Sequence, residues 1–507
     1  MKRLSTARST RGVVGGLLIA CAAGAGQTQV LDRVIDRATI SLPAPTQSLD
    51  PTASVSATDR AVFTAINGTL MRTEIDGSIV PGLAESIRYS PDFRTATVEL
   101  RRNLKFSDGS PLTARDVAGT FNRHMKVERS VMGAMMGRIA SVEPKGDLTV
   151  EFKFKNPFPS FGQFSATGSY GIYPAQRIGE AEFFKSPVTA GKYRIVSGWA
   201  GNKIQMTANE HYYGPRPVIK DLTFAIVEDA NSAISQLQGG TLDFAGDLPP
   251  TYLTQLKSVQ GITVSAVPTY GFYDLRLHNR SGPFADVNVR KAASLALDRQ
   301  AIVRAIWNDT NKPQSGYWPV TTPWHDPSLK TTADIEGARA LLSKTACASS
   351  CEVRMIYSDQ DFAFASQLAL MVQNQLQKAG FKVQLQRLDT PTLVKRLFAG
   401  DYDMAPGAMA SSADIPDPLL TLSLLSTGPL KAEFTGYNSP QMDALVTKVQ
   451  ESSGEVRTTA ARDLAKLFAE DMPYLVYATW VRGAASRLPA GAVSVVGTGV
   501  VVGHLKQ

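Results

Sequence analysis

From Arg37 to Trp480 the chain alternates short apolar segments of period two with amphipathic segments of helical spacing, which restricts it to layered α/β architectures. Arg37 to Leu42 reads as an opening strand, followed by the turn-rich Pro43 to Pro51. Thr95 to Leu100 and Thr149 to Phe154 alternate as strands, the second ended by Asn156-Pro157-Phe158-Pro159. Between them, after Ser107-Asp108-Gly109, Thr113 and Asp116 make a capping-box start for a helix that buries Val117 and Phe121. Asp361 to Ala379 predicts a long amphipathic helix closed by Gly380, and Lys382 to Leu388 a strand. Ser439-Pro440 supplies an N-cap and a first-turn proline for a helix burying Met442, Leu445, Val446 and Val449. A further helix carries Leu464, Leu467 and Phe468 before Pro473, and Tyr474 to Trp480 is then a buried strand. At 507 residues the chain exceeds what one compact core usually holds, so two or three domains are expected.

The first residues stand apart from this pattern. Lys2, Arg3, Arg8 and Arg11 precede an apolar run from Val13 to Ala23, and small residues follow through Ala25. That order is an export signal, too short to span a bilayer as a helix, which takes roughly 20 residues. Two cleavage routes are open. Ala23-Gly24-Ala25 suits an ordinary signal peptidase, whereas Leu18-Ile19-Ala20-Cys21 resembles a lipobox in which Cys21 would be lipidated. With Cys21 so assigned, Cys347 and Cys351 remain, an even pair for which an oxidising compartment favours a disulfide. A zinc site is the rival reading, and it would need two further ligands with no histidine nearby in sequence.

Charge excludes some partners. The net charge is +8, and removing the four signal cations leaves about +4, with no Lys/Arg run interleaved with aromatics to suit nucleic acid. The five histidines (His124, His211, His278, His325 and His504) are scattered, and neither His-Glu-x-x-His nor Gly-x-Ser-x-Gly occurs. Nothing in the chain asks for an enzyme, a cofactor or a resident metal.

An internal echo bears on organisation. Leu237-Gln238-Gly239-Gly240-Thr241-Leu242-Asp243-Phe244-Ala245 and Leu397-Phe398-Ala399-Gly400-Asp401-Tyr402-Asp403-Met404-Ala405 share one plan: a helix end, a glycine cap, then Asp opening a short strand. Two ordinary helix–glycine–strand units would produce this by coincidence, and so would two lobes of similar topology. In the second case Gly246 to Pro250 and Pro406 to Pro418 lie beyond the carboxyl ends of the strands, where open α/β sheets bind ligands.

Four segments carry a resemblance. They are Leu49-Asp50-Pro51; Phe106-Ser107-Asp108-Gly109-Ser110-Pro111-Leu112-Thr113-Ala114; Asn279 through Ile302, with Pro283-Phe284-Ala285-Asp286-Val287, Val289-Arg290-Lys291-Ala292 and Ala296-Leu297-Asp298-Arg299; and Tyr437-Asn438-Ser439-Pro440-Gln441-Met442-Asp443. In this order they resemble the extracytoplasmic solute-binding proteins of family 5, the dipeptide-, oligopeptide- and nickel-binding proteins of ABC transporters. The resemblance implies a type II periplasmic-binding-protein fold, α/β, with two lobes and a hinge. After the signal at 1–25, lobe I would hold 26–267, with an extra subdomain around 76–185, and 481–507; lobe II would hold 268–480. It also implies a periplasmic monomer that closes on a solute and delivers it to an ABC permease and its ATPase in the inner membrane.

Residue by residue, the resemblance places a receptor for a peptide's amino terminus at Asp414, in Ser411-Ser412-Ala413-Asp414-Ile415-Pro416-Asp417-Pro418. A carboxylate in a closed, low-dielectric cleft pairs strongly with an ammonium. The backbone of Ala410, Ser411 and Ser412 would bond the peptide main chain as an added strand does. Capping the turn before Pro416 is the plainer role for Asp414. Dipeptide-binding members often carry a Trp a few residues earlier, where this chain has Met409-Ala410-Ser411, so longer peptides, opines and other amines stay open. Tyr270, Asn279, Trp318 and Trp324 are further cleft candidates or packing residues, and His278 is the histidine placed for a nickel chelate.

Overall fold

The computed structural model describes residues 31–54, 56–126, 136–197, 201–409, 435–496 and 499–506. The export signal and Cys21, together with Ala410, Ser411, Ser412 and Asp414, lie outside them. No helix among the described residues is long and apolar enough to cross a membrane.

The chain opens with β1 (Ile35–Leu42) and α1 (Ala57–Ile66), followed by the hairpin β2 (Met71–Thr73) and β3 (Ile79–Pro81). Next come β4 (Ala84–Tyr89), β5 (Thr95–Leu100), α2 (Ala114–His124), β6 (Ile139–Pro144) and β7 (Thr149–Phe154). These four strands form an antiparallel sheet of order β4-β5-β7-β6 with its own core, in which Phe121, Phe152, Phe158, Phe161 and Phe164 are buried. The expected capping box is present: Thr113 caps α2 and its own backbone N–H donates to Asp116.

Three strands follow, β8 (Tyr193–Ser197), β9 (Lys203–Ala208) and β10 (Ile219–Ile226), then α3 (Ala230–Gly239), β11 (Phe244–Leu248) and the long β12 (Thr263–Leu277). The next helices are α4 (Val287–Ala296), α5 (Arg299–Trp307) and α6 (Ile335–Leu342). They lead to β13 (Cys351–Tyr357), α7 (Ala365–Ala379), β14 (Phe381–Arg387), α8 (Thr390–Ala399) and β15 (Met404–Met409). The chain finishes with α9 (Pro440–Glu451), α10 (Gly454–Asp471), β16 (Tyr474–Ser486) and the hairpin β17 (Val493–Val496) and β18 (Gly499–Val502).

Ten of these strands make one mixed sheet of order β14-β13-β15-β12-β16-β11-β1-β10-β9-β8. Separate cores cover its two ends. Leu275, Leu277, Ile302, Met355 and Leu368 belong to one, and Ile40, Phe63, Tyr193, Phe224 and Phe244 to another. A disulfide joins Cys347 to Cys351, the first residue of β13.

The segment that carries most of the family resemblance is a framework for these cores. Asp286 and Asp298 cap α4 and α5. Arg290 donates to the carbonyls of Asp471, Phe284 and Ala285. Arg299, 1% exposed, donates to Val476 O at 2.8 Å, to Ser294 O at 2.9 Å and to Ser294 Oγ at 2.8 Å. Burial pushes its guanidinium down to about 10, still charged at neutral pH. Both arginines therefore fasten the helices after β12 to the chain at and just before β16.

His124, at the end of α2, is fully buried with neither ring nitrogen bonded among the described residues. Burial pushes its pKa down to about 3, with the Arg123 charge adding to the effect. The unfolded chain takes up a proton near pH 6.5 that the folded one refuses, so stability falls as pH drops from there toward 3, by roughly 1.4 kcal/mol per unit from this group. Guanidinium unfolding at pH 7.5 and 4.5 is expected to show a smaller acid loss in His124→Leu than in the unsubstituted protein.

Candidate functional site

The register of the central strands defines where a ligand can sit. β12 pairs with β16 along two stretches, Thr263 to Pro268 against Val481 to Ser486 and Phe272 to Arg276 against Tyr474 to Thr479. On the outer edge of β12, antiparallel β15 ends with Met409 opposite Phe272. On the outer edge of β16, antiparallel β11 ends with Leu248 opposite Gly483. Three antiparallel steps separate β15 from β11, so the two run in opposite directions. Their carboxyl ends therefore aim at each other across the β12–β16 crossing, the place where open α/β sheets bind ligands.

The sequence echo supplies both of these ends. Asp229 caps α3 and Asp389 caps α8 through the same bond to the third helical residue, Ser232 and Thr392. Gly240 and Gly400 terminate the helices at φ of +76° and +66°, a left-handed conformation that favours glycine. Asp243 then accepts from Thr39 N at 2.7 Å, on β1, and Asp403 accepts from Arg354 N at 2.7 Å, on β13. Each Asp locks its strand to a parallel neighbour. The two units are structurally equivalent, one on either side of the crossing.

At the crossing the ladder is interrupted between Pro268 and Phe272. The Thr269 hydroxyl fills the gap, donating to Trp480 O at 2.9 Å and accepting from Gly271 N at 3.0 Å. On the other edge of β16, Asn311 Nδ2 donates to Thr479 O at 2.7 Å, and Lys312 N to Thr479 Oγ1 at 2.9 Å. Two glycines permit the close approach of the strand ends. A Cβ on Gly271 would stand 2.6 Å from Met409 O, and one on Gly483 2.4 Å from Leu248 O.

The candidates named from sequence divide accordingly. Tyr270 is half-buried within the interrupted stretch. Asn279 uses its amide to donate to Leu277 O, Thr435 O and Pro473 O, and so ties the returning chain to the end of β12. Trp318 is 3% exposed and donates to Ala461 O at 2.8 Å, which makes it a core residue. Trp324 is half-buried, 5.1 Å from the Trp318 ring, and its buried indole N–H meets no acceptor among the described residues. His278 is buried, with Nδ1 2.9 Å from Ser281 Oγ. No group of three or more His, Cys, Asp or Glu residues suited to a metal exists among the described residues.

One pair escaped the sequence. Arg482 of β16 and Asp247 of β11 form an ion pair at the crossing, with the arginine side chain 8% and the aspartate 35% exposed. Their 235-residue separation leaves no local pattern to find.

Comparison with known proteins agrees with this geometry. Residues 78–430 match the family model described as bacterial extracellular solute-binding proteins, family 5 Middle. The chain is 27% identical to the probable D,D-dipeptide-binding periplasmic protein DdpA of Escherichia coli, over 87% of this chain and 88% of that one. In structure it resembles NikA from Brucella suis in complex with Fe(III)-EDTA, with a TM-score of 0.80 at 20% identity, covering 92% and 100% of the two chains. It also resembles the periplasmic binding protein DppA from Helicobacter pylori in complex with the peptide STSA, with a TM-score of 0.74 at 20% identity over 93% and 96%. These likenesses establish the type II periplasmic-binding-protein fold.

Since the added Cβ would meet backbone, Gly483→Ala is expected to destabilise by about 1–3 kcal/mol in chemical denaturation. Gly239→Ala, in α3 with nothing within 4 Å of its Cβ, should be neutral or stabilising by up to about 1 kcal/mol.

Proposed function

We propose that this chain, which belongs to the bacterial extracellular solute-binding proteins of family 5, is the capture subunit of an ABC importer. It takes up a peptide between two lobes and hands it unaltered to a membrane permease and ATPase. The observation that carries this reading is the opposition of the β11 and β15 ends across two crossing strands. Lobe I comprises 26–267 with the extra subdomain and 481–507, and lobe II comprises 268–480. Bending at Thr269–Gly271 and Trp480 brings the lobes together, and only contacts that a cargo makes with both lobes can offset the free energy of closure.

Support for a peptide comes from the relatives: DdpA is named for a D,D-dipeptide, and the Helicobacter protein holds a tetrapeptide. Asp414 is the lobe II anchor for the amino terminus, and the backbone of Ala410, Ser411 and Ser412 bonds the main chain. Tyr270 and Trp324 line the cleft. Asn279 and Trp318, bonded to backbone carbonyls, support it from behind. The signal at residues 1–25 places the protein outside the cytoplasm, either released after Ala25 or lipid-anchored at Cys21.

Mass spectrometry of what co-purifies with the exported protein, and of peptides after incubation with it, tests the reading. Intact peptides bound one to one support it, and cleaved products overturn it. X-ray scattering should show a smaller radius of gyration with peptide than without. Asp414→Asn is expected to weaken a free-amine peptide by about 2–5 kcal/mol in calorimetry and to leave its N-acetylated counterpart unchanged.

A further inference from the structure

We propose that Asp247, held in place by Arg482, is a second cargo-binding carboxylate, receiving a cationic group of the cargo from the lobe I side of the cleft. The proposal deepens the function above and rests on its reading of the crossing as a cargo cleft.

Asp247 is the penultimate residue of β11, the strand whose end faces that of β15. The β11–β16 register shifts between Ala245 and Leu248, and Asp247 within that irregularity has φ of +58°. A non-glycine residue in the left-handed region carries a cost that surrounding structure must hold in place, and such residues gather at ligand clamps. Here the restraint is the bond from Arg482 Nε to Asp247 Oδ1. Among the described residues no other group bonds this carboxylate, so Oδ2 is the oxygen offered to a ligand.

Exposure decides the sign of the ligand. The guanidinium is almost completely covered at 8%, while the carboxylate remains 35% exposed. A cargo reaching the pair from the cleft meets the negative partner first, and an ammonium can bridge to Oδ2 while Arg482 keeps Oδ1. A cargo anion would meet the same carboxylate and be repelled. Contact with a cargo cation from the lobe I side is the kind of differential contact that favours the closed state.

The test uses the exported full chain, dialysed against random tetrapeptides supplied with free and with N-acetylated amino termini, the retained molecules being quantified by mass spectrometry. For the unsubstituted protein and Asp247→Asn, the expected result is at least a tenfold loss of cation-bearing peptides in the variant, with neutral acetylated peptides retained equally. Loss confined to free-amine peptides identifies the amino terminus as the cation, and loss confined to peptides with Lys or Arg identifies a side chain. Equal retention of cationic peptides by both proteins overturns the role of Asp247 and leaves peptide capture standing. If the unsubstituted protein retains no peptide, peptide capture fails, and Asp247 is judged on the compounds that co-purify with it. Cationic compounds lost from the variant support the site, and their persistence or absence from both overturns it. Should Asp247→Asn fail to fold, Asp247→Asn/Arg482→Gln, which removes both charges together, answers the same question.

Discussion

The antiparallel pairing of β12 with β16 is the constraint on which the rest of the molecule depends. Fifteen residues of one strand and thirteen of the other run from one core to the other, their ladder opened at Thr269–Gly271 and shifted in register once more between Tyr273 and Asp274. Everything attached to the outer edges of this ribbon inherits its direction. That is why β11 and β15, which never touch each other in the ladder, end face to face. A connection of flexible linkers would leave the two walls free to drift. A paired ribbon whose ladder opens at Thr269–Gly271 restricts how they move.

The parts that make the family recognisable serve this ribbon more than the cargo. Arg290 and Arg299 direct their guanidinium groups onto backbone carbonyls, and the aspartates beside them cap helices. A buried guanidinium is tolerated only when its donors are satisfied, which restricts substitution at those positions irrespective of what the cleft holds. A shared framework with variable walls is the arrangement expected of a fold whose solved examples include complexes with a peptide and with Fe(III)-EDTA.

Local chemistry was legible in the sequence, whereas long-range pairing was not. The Thr113 capping box and the helix after Ser439-Pro440 occur where their residues predict them, because caps and periodicity act within a few positions. The glycine-capped echo was visible as a pattern, and its meaning emerged only when Asp243 and Asp403 were seen locking equivalent strands. The helix predicted from Asp361 begins at Ala365, since the Asp359 carboxylate accepts from Ser366 N and Oγ and the intervening residues turn. Arg482 and Gly483 interrupt the apolar run in the sequence, yet β16 runs six residues beyond Trp480 because partners more than two hundred positions away extend the strand. Of the candidate site, Trp318 and Asn279 were by position either cleft or packing residues, and their bonds to backbone carbonyls could not be read from the sequence.

The place of β16 in the sheet also governs how the chain must assemble. It lies between β12 and β11, yet it begins at Tyr474, after nearly all the other strands have been made. Until it arrives, the facing edges of β11 and β12 have no partner, and neither end of the sheet can be completed alone. Folding is thus dominated by contacts of very large sequence separation, a topology that collapses slowly and late.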